Sequence, residues 1–171
     1  MRPRVILLAL MLFSTTALAD LSNECPNLAG VYDALELKTS DTDTNRKYLP
    51  DELTYTVTQN ECQEVTLSYS LKFGTQVDHT ETMKIVPDGK TPTLLAGFPS
   101  LGMRFLALYY FTSDSLEGKI FSQTEDNPMT DLHAVEKIYL DENKSLKIVK
   151  TAHNPKENKT WTREILTVRK D

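Results

Sequence analysis

The chain reads as an all-β protein, a single antiparallel up-and-down β-barrel of about eight to nine strands. Three observations predict this. Short stretches with apolar–polar alternation recur from residue 30 to residue 169, clusters of turn-forming residues separate them, and no long amphipathic helical period lies between them. A sheet of so many strands closes or folds over, because twist and unpaired edges disfavour a flat open one.

A leader precedes the fold and is set aside first. Arg2 and Arg4 form a positive n-region, Val5 to Phe13 is an apolar run too short to span a bilayer, and Ala17-Leu18-Ala19 is a small-residue cleavage site. Cleavage after Ala19 divides the chain into a signal peptide, residues 1–19, and one barrel domain, residues 20–171. No cysteine follows the small residues directly, which argues against the usual bacterial lipidation signal. No later run is apolar over a membrane-spanning length. The product is therefore expected to be exported to the periplasm or the extracellular space, with no membrane span.

The whole chain carries 19 Lys+Arg and 24 Asp+Glu, and the leader takes two of the arginines and none of the acids, leaving a charge of about −7. Phosphate backbones are bound by clustered cations that release counterions, so nucleic acid is not an expected partner. Export favours a disulfide between Cys25 and Cys62 over a metal pair, and no CxxC motif suggests redox chemistry. The bridge would close a loop of about 36 residues and tie the segment before the first strand to a hairpin.

The strands follow from the alternation. The first runs from Gly30 to Leu37. "LTYTVTQ" sets Leu53, Tyr55 and Val57 against Thr54, Thr56 and Thr58, and "EVTLSYSLK" sets Val65, Leu67, Tyr69 and Leu71 against Thr66, Ser68 and Ser70. With Asn60-Glu61 between them, these two should pair antiparallel, one face on a core and one in water. Further strands are expected at residues 80–86, 104–112, 116–124, 132–140, 146–152 and 160–169. The turns between them are "PDGK" at Pro87, "TSDS" at Thr112, "EDNPMTD" at Glu125, "DENKS" at Asp141 and "NPKENK" at Asn154. The alternate faces carry Thr, Ser, Lys and Glu, where an outer-membrane barrel needs an apolar band.

Within this frame Gly30-Val31-Tyr32 resembles the GxW motif that opens the first strand of lipocalins, with Tyr in place of Trp. Trp161-Thr162-Arg163 lies on the last predicted strand, and lipocalins carry an arginine there that packs over the aromatic ring of the motif. The resemblance implies a lipocalin-like or calycin-like barrel with Gly30, Trp161 and Arg163 in structural roles. Arg163 is the expected partner of Tyr32, and Arg169 the second choice. The chain departs from the family at its second motif, TDY, for which "TSD" at Thr112 to Asp114 is only a loose echo. An avidin-type barrel is a weaker likeness.

Signals for chemistry are sparse. "DTDTNRKYLPDE", Asp41 to Glu52, has oxygen ligands at calcium-loop spacing, but Arg46 stands where the sharp turn needs Gly and Pro50 lies inside the loop, so it reads as a solvated polar loop. "GFPSLG", Gly97 to Gly102, lacks the spacing of a nucleophile elbow and reads as a tight loop. His79, His133 and His153 lie too far apart for a zinc motif. The acidic pairs Asp51-Glu52 and Glu125-Asp126 read as loop charges. The sequons at Asn143 and Asn158 read as turn residues. No enzyme activity and no cofactor are expected.

One segment stands apart. "RFLALYYFT", Arg104 to Thr112, is apolar on both faces, as expected for a strand with the core inside and a loop such as "LLAGFPSLGM" covering it outside. Alternatively its inward aromatics line a cavity and its outer ones form an interaction patch. Two functions are consistent with this sequence. In the first, an exported barrel binds a small apolar or amphipathic ligand with inward residues such as Tyr32, Tyr69, Tyr109 and Phe111. In the second, a periplasmic or extracellular protein partner, for example an enzyme to be inhibited, is bound through the loops Lys38 to Glu52 and Gly97 to Met103.

Overall fold

The computed structural model describes residues 25–40, 51–74, 76–124, 131–154 and 159–170. The predicted leader and the calcium-like loop from Asp41 to Pro50 lie outside them, as do "EDNPMT" at Glu125 and the Asn158 sequon. Ten strands follow one another: β1 (Gly30–Thr39), β2 (Glu52–Asn60), β3 (Glu64–Phe73), β4 (Gln76–Ile85), β5 (Asp88–Phe98), β6 (Met103–Phe111), β7 (Ser115–Thr124), β8 (Asp131–Leu140), β9 (Leu146–Asn154) and β10 (Lys159–Lys170). A 3-10 turn, Pro99–Leu101, separates β5 from β6.

All ladders are antiparallel, and the order across the sheet is β4-β3-β2-β1-β10-β9-β8-β7-β6-β5. Each strand pairs with its neighbours in sequence except at β4 and β5, and β1 pairs with β10 to bring the two ends of the chain together. The remaining seam lies between β4 and β5, the two edge strands, which are consecutive in sequence but share no ladder among the described residues. The result is an up-and-down barrel, nearly closed.

Alternation sorts the faces as expected. Leu53 pairs with Leu71, Tyr55 with Tyr69 and Val57 with Leu67 on the inside, while Thr54, Thr56 and Thr58 meet Ser70, Ser68 and Thr66 outside. A bulge at Leu35, which is 66% exposed, lets the pattern slip by one, so that Leu37 and Thr39 again face inward opposite Ile165 and Arg163.

The tenth strand corrects the predicted count. "PDGK" was expected as a turn and "LLAGFPSLGM" as a cover over β6, but residues 88–98 form β5, paired edge-on with β6. Its start does have turn chemistry: the Asp88 carboxylate accepts from the N–H groups of Lys90 and Thr91 and from the Thr91 hydroxyl, each at 2.7 Å. These bonds hold its pKa down at about 2. Pro92 is tolerated because β5 is an edge strand, and the ladder skips register around it. The outer face of β6 is half-covered by its own neighbours. Tyr110 donates to Glu117 at 2.9 Å, and Lys119 lies 5.8 Å above its ring.

Candidate functional site: the two ends of the barrel

The end at the start of β1 is sealed. Cys25 and Cys62 are joined, with Cα atoms 5.6 Å apart, and so hold the residues before β1 against the β2–β3 turn. Gln59 locks the same segment: its side-chain oxygen accepts from the Leu28 N–H at 2.9 Å and its amide donates to the Pro26 and Glu61 carbonyls. Leu28, Tyr32, Ile85, Leu116 and Leu146 are all fully buried there. Burial of each contributes roughly 1.5–3 kcal/mol. This is the floor.

Tyr32 belongs to that floor. Its hydroxyl donates to the Leu28 carbonyl at 2.9 Å and its ring lies over Gly30, where an added Cβ would stand 2.7 Å from the phenol oxygen. The glycine of the motif is thus required for close packing. The cross-strand partner of Tyr32 is Arg169, not the expected Arg163. Arg169 reaches across the floor to the Ala29 carbonyl at 3.4 Å, while Arg163 pairs with Thr39 near the opposite end of β1. Inward positions on β10 recur every second residue, so alternation alone does not choose between the two arginines.

Two rows of inward residues lie between the floor and the other end. The deeper row runs through Tyr109, Gly118, Glu136, Lys150 and Arg163 to Thr39, each paired with the next across the sheet. Tyr109 is fully buried, leans over Gly118 and donates to Glu136 at 2.6 Å. The row above it runs through Ala107, Ile120, Ala134 and Ala152 to Trp161. Three alanines leave this level of the barrel short of side-chain volume. Around them Leu71, Phe105 and Trp161 point inward yet stay partly exposed. These three side chains remain within reach of solvent at the end of the barrel away from the disulfide.

The electrostatics of this half are unusual for an interior. Lys150 and Arg163 are directly opposite each other and neither has an ion-pair partner within 4 Å among the described residues. The Arg163 guanidinium stands 5.8 Å from the Trp161 ring, and its Nε is buried with no acceptor. Burial pushes the His133 imidazole below its ordinary pKa, helped by the charge of Lys150, and its ring lies 4.9 Å from Phe105. Burial also raises the pKa of three tyrosines: Tyr55, beside Glu136; Tyr109; and Tyr69, pushed up to about 12 with the help of its hydrogen bond to Glu81.

These tyrosines predict an alkaline limit. A folded-state pKa above the unfolded value near 10 adds stability that is complete below pH 10 and lost as the pH climbs toward the folded value. Absorbance at 295 nm should therefore rise cooperatively with the loss of circular dichroism between about pH 10 and 12. Titration of all the tyrosines near pH 10 in an intact fold would contradict this.

Of the expected ligand residues, Tyr32 is sealed in the floor and Phe111 packs on the core opposite Leu116, next to the floor. Tyr109 stands in the charged row, and half-buried Tyr69 lies on β3 beside Tyr55, their ring centroids 6.3 Å apart. Trp161 and Arg163, expected to be structural, point inward in the half of the barrel away from the disulfide. Glu136, Lys150 and Tyr55 were not anticipated. Their signal was present, since each alternates in phase with inward apolar neighbours such as Ile138, Ile148 and Val57.

Outside the barrel, Leu94, Leu106, Phe121 and Leu132 form an apolar row across four strands, with Leu94 and Leu132 more than half exposed. A groove of about 530 Å³ lined by Leu94, Phe98, Arg104 and Gln123 adjoins it. No group of three or more His, Cys, Asp or Glu is poised to hold a metal among the described residues. No helix among them is long and apolar enough to cross a membrane. Compared with known proteins, the chain matches no protein-family model and no curated protein.

Proposed function

We propose that this protein is an exported, lipocalin-like carrier that holds a small apolar or amphipathic molecule in the open half of its barrel. The observation that carries the reading is the contrast between the two ends: the floor is packed solid, whereas inward Leu71, Phe105 and Trp161 around an alanine row remain within reach of solvent. Small-molecule sites are concave, mostly apolar and supplied with a few polar groups, and this end combines both. The leader and the disulfide favour an oxidising compartment outside the cytoplasm. Gly30, Tyr32 and Arg169 support the lipocalin-like relation, with the arginine six residues later than expected. The carrier role calls for no catalysis and no cofactor.

The test uses Trp161, the only tryptophan of the chain. Brominated alkyl chains quench it on contact, so saturable quenching reports occupation of the lumen. A second reading, a protein-interaction module, draws on the exposed row from Leu94 to Leu132. In that case the row, and not the lumen, is protected from hydrogen exchange when the partner binds.

A further inference from the structure

Resting on the carrier reading, we infer that the ligand is a single-chain amphiphile with an anionic headgroup, held headgroup-inward by Lys150 and Arg163. Three observations converge on this. First, the two cations are direct cross-strand neighbours on the inner face, where like charges oppose each other at close range and destabilise the pair unless an anion lies between them. Second, neither has an ion-pair partner among the described residues, and Arg163 Nε is buried without an acceptor. A buried donor left unpaired is costly, and a carboxylate, sulfate or phosphate oxygen would satisfy it.

Third, the level suits an amphiphile. The charged row lies one step above the apolar row of Leu116, Ile138, Ile148 and Ile165, and the wider alanine level with Trp161 lies above it, toward the open end. A headgroup at Lys150 and Arg163 would leave its alkyl tail against Trp161 and Phe105. Glu136, the one acid in the row, stands across from Lys150 but accepts the Tyr109 hydroxyl at one oxygen, and the row keeps an excess of one positive charge. A neutral ligand of the same length would leave both cations unpaired.

The experiment compares laurate with dodecanol on the disulfide-bonded protein, measuring each affinity by competition with a brominated alkyl chain that quenches Trp161 or by displacement of a neutral fluorophore. Laurate should bind about ten- to a hundred-fold more tightly. Lys150→Met and Arg163→Met should each remove most of that preference while leaving dodecanol affinity within about three-fold of the parent. Arg163→Lys keeps the charge and guards against a variant that fails to fold; it should retain part of the preference. Equal binding of the two probes by the parent protein overturns the inference and leaves the carrier reading standing. Binding of neither overturns both.

Discussion

Replacing Cys25 and Cys62 together by serine should lower the stability by about 4 kcal/mol, as expected for releasing a loop whose ends are 37 positions apart in sequence. For a domain of this size that is a fall in Tm of about 8–16 °C. The effect goes beyond chain entropy, because the bridge positions the floor segment: Leu28 is fully buried, and the Gln59 side chain holds Pro26 and Leu28 only while that segment lies against the β2–β3 turn. Denaturant unfolding of the parent and of the double variant measures it. A difference below about 1 kcal/mol would mean that the floor holds without the bridge.

Gly118→Ala should be nearly as damaging, by about 3 kcal/mol. A methyl group at this position would stand 2.5 Å from the edge of the Tyr109 ring, which is fully buried. Overpacking of this kind costs about 1–3 kcal/mol, and displacement of the ring also strains the hydrogen bond to Glu136. Gly97→Ala is the control. Nothing lies within 4 Å of its added Cβ, so stability should stay within about 0.5 kcal/mol of the parent. Equal behaviour of the two variants would show that Tyr109 does not lean on Gly118.

The strands were legible in the sequence where alternation was strong. β2 and β3 repeat Thr and Ser against Leu, Tyr and Val, and the structure pairs them antiparallel as expected, with Asn60 inside the ladder opposite Glu64. β5 was not legible, because Asp88-Gly89 carries turn chemistry, Pro92 interrupts the run, and an edge strand lacks a second neighbour to enforce a period. The partner of Tyr32 was half legible: the last strand does supply the arginine, but the choice between Arg163 and Arg169 depends on register, which the Leu35 bulge shifts. The charged row was hidden for a different reason. Glu136, Lys150 and Arg163 lie far apart in sequence, and only the pairing of β8, β9 and β10 brings them to one level. Alternation places each of them inside, whereas their shared depth is a property of the closed sheet.

The carrier function proposed above requires that the end of the barrel away from the disulfide take up a ligand. It is tested most directly by titrating bromoundecanol and bromoundecanoic acid into the protein while following Trp161 emission. Saturable quenching at one molecule per chain is expected, competed away by the unbrominated compounds and unaffected by substitutions on the outer row such as Leu94→Ser. Emission that neither compound quenches, in a protein with its fold and disulfide intact, would mean that the lumen is filled and that the barrel works through its outer surface.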